Sequence, residues 1–376
     1  MPDSFSKNAQ NSPVFHDYFS TLKEPRRTDK GRFFYPLEEI LFLSIAAVVS
    51  GADSWTTIAT FGRTKLDWLR KYYPYKKGTP SHDVLGKVFA RLDHKEFAQC
   101  FSQWVNAVSA FSPDGVVAVD GKTIRKSGDG AVGKSALHVV SAYASAHRVC
   151  LGQEVVDEKS NEITAIPELL KVLNLQGCTV TLDAMGCQQK IAQQILDKKA
   201  DYVLMVKDNQ KGLKEQIAHL FTMSATKKDT CYDVGHGRVE TRTCEVIDTL
   251  AAIDTEGLAG IQSFVKVQSE RYDKKTARTG SQTRYYISSL PADAAVINQA
   301  VRQHWSIENN LHWSMDVLFK EDESLKKKGH SALNYGLIAK LALMMLEREP
   351  TPKLSKPSKR YRAALDDDFR AKIMKC

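Results

Sequence analysis

The first third of the chain carries apolar residues at helical spacing. Pro36 precedes an acidic first turn, and the apolar run that follows stops at Gly51. Proline favours the start of a helix and glycine its end. The spacing predicts four helices, over 37–50, 55–73, 81–92 and 95–110. We therefore predict a small all-α domain at 37–112, preceded by a loosely ordered, basic polar arm at 1–36.

The pattern changes from helical to β after the turn formed by Pro113, Asp114 and Gly115. Short apolar runs rich in β-branched residues then alternate with helical segments at 161–173 and 188–199. The predicted strands cover 116–119, 136–145, 149–156, 179–182 and 202–206. Three strands followed by helix, strand, helix and strand predict a mixed α/β layer, which is the first part of a core over 113–228.

Residues 229–290 alternate between apolar and polar positions, which predicts an antiparallel, β-rich insertion. Helical spacing returns at 293–317 and 331–347, so 291–349 is predicted to complete the core. The last segment, 350–376, is basic and is predicted to be a tail that becomes helical towards its end.

The composition is that of an ordinary soluble protein, 43% hydrophobic and 26% charged, which excludes collagen-like and wholly disordered chains. The longest apolar run, 40–52, is too short to cross a bilayer, and the first residues lack the apolar core of a signal peptide. The 7 cysteines form no CxxC pair, which is typical of the reducing cytosol and excludes a zinc knuckle. We expect a cytoplasmic protein without a membrane partner, in which a metal would be bound mainly by oxygen ligands.

Lysine and arginine outnumber aspartate and glutamate by 53 to 44, which gives a formal net charge of +9. An excess of this sign favours an acidic partner such as nucleic acid. Surplus surface lysine on an ordinary cytoplasmic protein explains the charge equally well. The charge alone leaves both interpretations open.

Two aspartates follow predicted buried strands. Asp120 comes directly after 116–119, and Asp183 directly after 179–182. A carboxylate at the end of a buried strand is costly unless it is paired, and two of them on neighbouring strands would repel each other. Divalent cations remove that repulsion, and two such ions can drive phosphodiester displacement. Alternatively, each aspartate simply begins a turn.

A third metal ligand is expected from the segment 302–316. Polar side chains recur there every four residues, at His304, Glu308, His312 and Asp316. This spacing puts them along one face of a helix. Glu308 is the predicted ligand, and Asp316 or the acidic run 321–323 competes with it. A solvated polar stripe on the helix is the alternative.

Basic side chains flank these acids, open the predicted insertion and recur in the tail. The candidates for DNA binding near the acids are Lys122, Arg125, Lys207, His236, Arg238 and Arg242. Further cations on the insertion and the tail are Arg271, Lys274, Lys275, Arg278, Arg284, Lys353, Lys356, Lys359, Arg360 and Arg362. Such side chains can hold DNA backbone phosphates without reading the base sequence. A solvated basic face is the alternative, above all around Lys274 and Lys275.

Five segments resemble the H-repeat-associated, ISAs-type DDE transposases of bacterial insertion sequences. They are AVDGKTIR at 118–125, DEKSNEITAIP at 157–167, TLDAMGCQ at 181–188, HGR at 236–238 and HWSIENNLHW at 304–313. The N-terminal helices resemble the associated domain that precedes the catalytic domain in this family.

The resemblance implies an α/β fold with a ribonuclease-H-like catalytic core that the β-rich insertion interrupts. It implies that Asp120, Asp183 and Glu308 are catalytic and hold two Mg²⁺ or Mn²⁺ ions. The implied activity is cleavage of a DNA strand at the element ends and joining of its 3′-hydroxyl to target DNA, by a homodimer on double-stranded DNA. In the broader superfamily an arginine and a lysine accompany the glutamate, whereas His304 and Met315 stand at those positions here. His304 and His312 are therefore expected to take over phosphate contacts.

Two other functions fit the same residues. A metal-dependent nuclease of the same fold would cut DNA without joining strands. An inactive, element-derived protein would bind DNA in a salt-sensitive way without metal-dependent chemistry.

Overall fold

The computed structural model describes residues 13–28, 34–108, 115–130, 133–157, 160–235, 237–248 and 257–375. Within these residues helices α1 to α14 span, in chain order, Pro13–Phe19, Leu37–Val49, Trp55–Thr64, Leu66–Leu69, His82–Arg91, His94–Val108, Glu162–Val172, Gln189–Asp197, Lys211–Met223, Ala294–His304, Trp313–Val317, Ser331–Arg348, Lys356–Leu365 and Asp367–Met374. Strands β1 to β9 span Val116–Ile124, Leu137–Ala144, Val149–Val156, Thr179–Leu182, Asp201–Val206, Lys227–Gly235, Arg238–Ile247, Ser263–Asp273 and Arg278–Ser288. None of the helices described is long and apolar enough to cross a membrane.

These strands form one nine-stranded sheet in the order β3-β2-β1-β4-β5-β9-β8-β7-β6. The central strands β1, β4 and β5 are parallel, and their apolar runs are buried, as is usual for parallel strands. On one side, β2 and β3 continue the sheet as antiparallel strands. On the other side, β9 pairs with β5 and joins the antiparallel strands β6 to β9 to the sheet. The β-rich segment therefore extends the central sheet.

Strand β1 is longer than the sequence predicts. Its parallel neighbour β4 ends at Leu182, opposite Val119. The antiparallel neighbour β2 continues to pair as far as Ile124, so β1 runs on past Asp120. Asp120 lies inside the strand, at the point where β4 stops, and the prediction that β1 ends at Val119 is wrong.

The N-terminal helices share one hydrophobic core with the sheet. Every residue of α2 except Glu38 is buried, and α2 packs against α12, which is itself buried from Ser331 to Leu346. α12 also packs against α5, α6 and β3. The contiguous core contains residues from Phe19 to Ile373. Only α-helices occur in the described residues between 34 and 108, but they do not have a separate core.

Part of the predicted arm is ordered. Phe19, at the end of α1, is buried, and its ring lies 5.9 Å from Phe97 and 6.4 Å from Trp104, measured between ring centroids. The expectation of a loosely ordered arm is therefore wrong for the described residues 16–28. Residues 1–12 and 29–33 lie outside the described part of the chain.

The basic tail folds back onto the core as α13 and α14. The Arg360 guanidinium donates to the carbonyl of Val48 at 3.0 and 3.2 Å, and Lys359 Nζ donates to the carbonyl of Leu346 at 2.9 Å. Both side chains are buried. A buried cation that bonds to backbone carbonyls is not available to a phosphate, so the expectation that these two residues hold DNA is wrong.

Candidate active site

Asp120 and Asp183 occupy equivalent positions on neighbouring parallel strands. Val119 pairs with Leu182, and each is followed by an aspartate, inside β1 in one case and just past the end of β4 in the other. Asp183 also opens a short 3₁₀ turn, where its carboxylate accepts a hydrogen bond from the Met185 backbone N–H at 2.9 Å. Asp183 can therefore begin a turn and still lie beside Asp120, so the two interpretations of this aspartate are compatible.

Glu308 lies in a distorted part of the helical segment that faces these strands. A continuous helix over 293–317 is the sequence prediction, but α10 ends at His304, a π-helical segment covers Ile307–His312, and α11 begins at Trp313. π-Helical segments are rare and occur frequently at functional sites. The prediction of one regular helix is wrong at the segment that carries the candidate ligand.

His304 packs onto β4. Its Nδ1 lies 2.9 Å from Thr181 Oγ1, and its side chain is 7% exposed. Burial lowers the pKa of His304 to about 4, although the nearby charge of Asp183 opposes that change. The imidazole is therefore neutral at pH 7 and buried, which argues against the predicted phosphate contact.

His312 packs onto β1. Its Nδ1 lies 3.6 Å from Asp120 Oδ2, and its buried Nε2 has no hydrogen-bond partner among the described residues. Burial, together with the positive charges of Lys340 and Lys122, lowers the pKa of His312 to about 3. A neutral, buried imidazole lacks the charge that attracts a phosphate. His312 is therefore a packing neighbour of Asp120 in this structure.

The acidic side chains act on one another electrostatically. Burial, together with the charges of Glu308 and Glu162 and a smaller effect from Asp183, raises the pKa of Asp120 to about 7. Burial also raises the pKa of Glu308, against the opposing charges of Arg284 and Lys207. A carboxylate that holds its proton so strongly lacks a compensating cation.

The donor set fits a hard divalent cation, because Asp120, Asp183 and Glu308 offer oxygen ligands. Burial is the largest cause of the raised pKa of Asp120, and the neighbouring charges of Glu308 and Glu162 add to it. As they stand, no three His, Cys, Asp or Glu side chains among the residues described are grouped so that they could hold a metal ion.

Lys122 joins β1 to the segment after α10. Its Nζ contacts Asp316 and lies 2.6 Å from Glu321 and 3.9 Å from Asp322. The Lys122 side chain is 14% exposed. This geometry argues against direct DNA contact by Lys122. Because Asp316 is paired with Lys122, its carboxylate is not free to act as a metal ligand.

The other predicted DNA contacts differ in availability. Arg125 is 83% exposed and pairs with Asp322, and Arg238 is 57% exposed and pairs with Asp273. Lys207 is exposed. Arg242 is 5% exposed and bound to Glu240, which argues against a phosphate contact. His236 lies outside the described residues.

Sequence reasoning did not single out a fourth acidic side chain at this site. Glu162, at the start of α7, has its Oε1 2.7 Å from His138 Nε2, and His138 Nδ1 lies 2.8 Å from Thr123 Oγ1. A Cβ on Gly121 would come within 2.1 Å of Glu162 Oε1. Gly121, the glycine directly after Asp120, was the available sequence signal for this close approach.

The acidic side chains lie where the parallel strand β4 ends beside β1, and exposed cations such as Arg125 and Lys207 lie on neighbouring segments. The family model for the transposase DDE domain matches residues 111–345, and the model described as DDE_Tnp_1-associated matches residues 16–105. The chain therefore belongs to the DDE transposase family.

Among curated proteins, the chain is 37% identical over 368 residues to the putative transposase YncI of Escherichia coli O157:H7, covering 95% of this chain and 93% of that protein. It is 34% identical over 368 residues to the H repeat-associated putative transposase YhhI of Escherichia coli K12, covering 95% and 97%. The resemblance to H-repeat-associated transposases is thus confirmed. A solved piggyBac transposase synaptic complex with hairpin DNA matches with a TM-score of 0.46 at 12% identity, over 95% of this chain and 76% of that one, which is too distant to support a conclusion.

Proposed function

We propose that the protein is a DNA transposase that cleaves a DNA strand at the ends of its element and joins the 3′-hydroxyl to target DNA. The observation that carries the proposal is the arrangement of Asp120 in β1 beside Asp183 at the end of the parallel strand β4, with the segment bearing Glu308 packed on β1. The raised pKa of Asp120 supports a site that is completed by cations.

The strand order supports a ribonuclease-H-like core. Strands β1 to β5 run in the order 3-2-1-4-5, with β2 antiparallel to β1 and with β1, β4 and β5 parallel. This order resembles the core implied by the sequence motifs. Strands β6 to β9 would then be the insertion, and α10 to α12 the helices that close the core.

In this proposal Asp120, Asp183 and Glu308 hold two Mg²⁺ or Mn²⁺ ions. When bound, such ions activate a water or a 3′-hydroxyl and stabilise the leaving oxygen. His312 supports Asp120, His304 fixes the start of the distorted segment on β4, and Lys122 holds the segment after it. Exposed cations such as Arg125 and Arg238 are left to bind DNA phosphates.

The partner is double-stranded DNA, at the element ends and at the target. We infer a homodimer on DNA, since joining two ends to one target calls for two active sites. Light scattering on the protein with and without an end duplex would measure the assembly.

The test uses a labelled duplex that carries the DNA flanking the gene. The wild-type protein with Mg²⁺ should nick this duplex at the end and join it to a second, unlabelled DNA. Asp183→Asn should bind the duplex but neither nick nor join it. Asp197→Asn, which changes an exposed aspartate of α8, is the matched control and should keep both activities.

Each other result identifies a different function. Nicking without joined product would identify the nuclease alternative. DNA binding without cleavage would identify an inactive element-derived protein. One relative, YbfQ of Escherichia coli K12, is named an inactive transposase. Metal-dependent cleavage by Asp183→Asn would contradict the site itself.

A further inference from the structure

Two cations lie opposite each other at the edge of the site, where β5 and β9 pair. Val206, the last residue of β5, pairs with Tyr285 of β9 in an antiparallel ladder. One residue further, Arg284 lies within β9 and Lys207 lies just past the end of β5, so continuing the register places the two opposite each other. Like charges directly opposite each other on neighbouring strands are destabilising, so this pair calls for an explanation.

Several other cations near the site are paired with carboxylates. Lys122 is paired with Glu321, Arg125 with Asp322, and Arg302 with Asp233. Among the described residues, neither Lys207 nor Arg284 has a carboxylate at ion-pair distance. The two side chains therefore keep their positive charge available at the edge of the sheet.

Arg284 is held in place by neutral contacts. Its guanidinium carbon lies 4.8 Å from the centroid of the Trp305 ring, and one of its Nη atoms donates to Gln282 Oε1 at 2.7 Å. Stacking on an aromatic face fixes the guanidinium plane and leaves other N–H groups at its edge free to bind an anion. A fixed, planar, charged group suits a phosphate better than a mobile one does.

The cation pair lies close to the candidate ligand Glu308. Arg284 stacks on Trp305, which precedes Glu308 by three residues, and Lys207 follows β5, the strand that pairs with β4 before Asp183. An anion bound by the pair would therefore lie beside the acidic centre.

We propose that Arg284 and Lys207 form a clamp for a DNA backbone phosphate next to the acidic residues, with Trp305 as the residue that positions Arg284. This inference rests on the proposed function, and it assigns to strand β9 a direct part in holding the DNA at the reacting position. The clamp contacts the phosphate only and carries no base-sequence preference.

The test is the salt dependence of DNA binding, measured without divalent ions on a labelled duplex carrying the flanking DNA. The logarithm of the binding constant falls with the logarithm of the salt concentration, and each lost phosphate contact makes that fall less steep by about 0.9. We expect Arg284→Ala and Lys207→Ala each to reduce the steepness of this slope by about 1, and the double variant to reduce it by about 2. Lys171→Ala removes an equal charge from the surface of α7, where Lys171 pairs with Glu168, and should leave the slope unchanged.

Two further variants separate positioning from charge. Trp305→Ala keeps both cations but releases the guanidinium, so its slope should fall towards that of Arg284→Ala, whereas Trp305→Phe should keep the wild-type slope. If Arg284→Ala does not fold, as judged by its thermal transition, Arg284→Gln replaces it, with the same expected slope.

Failure of the clamp and failure of the proposed function give different results. If the wild-type protein cleaves DNA and Arg284→Ala and Lys207→Ala bind with an unchanged slope, the clamp is overturned and the function stands. If the wild-type protein neither binds nor cleaves the duplex, the proposed function and the clamp are both overturned.

Discussion

The Nδ1 atom of His312 lies 3.6 Å from the Oδ2 atom of Asp120, and this contact ties the distorted helical segment to the central strand. Burial holds the pKa of His312 at about 3, so the imidazole contributes no positive charge at pH 7. It therefore does not compensate Asp120, whose own pKa is raised to about 7. The acidic centre is electrostatically unfavourable in the absence of cations.

Asp120→Asn should stabilise the metal-free protein. Because the pKa of Asp120 is about 7 in the folded state against an ordinary 3.8, the folded protein binds more protons than the unfolded one between pH 4 and 7. Its stability therefore falls as the pH rises through that window, and at pH 7 the cost is at most about 4 kcal/mol. Calorimetry without divalent ions should show a higher melting temperature for Asp120→Asn at pH 7 and a smaller difference at pH 5.

Mg²⁺ should reverse that order. The ions bind the folded wild-type protein and raise its melting temperature by mass action, while Asp120→Asn responds weakly. Asp197→Asn serves as the control and should follow the wild type in both conditions. A lower melting temperature for Asp120→Asn without metal would show that its charge is compensated.

Lys122→Met should destabilise the protein and abolish cleavage. The substitution leaves Glu321, which is 6% exposed, and Asp316 without their cation. Removing one partner of a buried ion pair costs about 3 kcal/mol or more. Urea unfolding measures the loss, and Lys171→Met, at an exposed pair, should change stability by less than about 1 kcal/mol.

A second variant distinguishes the loss of the ion pair from the loss of lysine packing. Adding Glu321→Gln to Lys122→Met removes one of the unpaired charges and should recover part of the stability. If the double variant is as unstable as the sum of both single changes, the two residues are not coupled.

The neighbouring strands that carry Asp120 and Asp183 could be predicted, but their surroundings could not. Buried runs such as Val116–Val119 identify central parallel strands, and a polar residue after them identifies the site edge. The ion cluster of Lys122 joins residues 194 and 199 positions apart, and no local pattern reveals such a pairing. The net charge of the chain therefore overestimates the number of lysine and arginine side chains that are free to bind DNA phosphates.

The distorted helix shows a second limit of sequence patterns. A spacing of four residues from His304 to His312 predicts a regular helix. The structure instead packs His304 on Thr181 of β4 and His312 beside Asp120 of β1, and His312 is the last residue of a π-helical segment. The backbone there is set by contacts across the sheet, which the spacing does not contain.

Gly121→Ala should destabilise the protein through one identifiable contact. The new Cβ would lie 2.1 Å from Glu162 Oε1 and 2.5 Å from His138 Nε2, so the hydrogen-bonded pair must move. Such overpacking costs about 1–3 kcal/mol. In a Glu162→Ala background the cost of Gly121→Ala should fall, although His138 prevents it from vanishing. Thermal unfolding of the four proteins of this cycle measures the coupling, and strict additivity would contradict the contact.

Glu349→Gln should loosen the C-terminal helices. Glu349 is 1% exposed, and its carboxylate accepts hydrogen bonds from Lys372 Nζ at 2.8 Å and from the Thr351 N–H and hydroxyl. Burial raises the pKa of Glu349, but these bonds outweigh it and hold the pKa at about 2, below the ordinary 4.5. The charge therefore contributes stability above pH 4.5 that is lost as the pH falls towards 2, and at pH 7 it amounts to about 3 kcal/mol.

Urea unfolding should show the variant less stable at pH 7 and a smaller difference at pH 3, while Glu168→Gln, at an exposed pair, stays near the wild type at pH 7. A difference that is equally large at pH 3 would mean that the amide disturbs packing, and that the charge of Glu349 does not hold the tail.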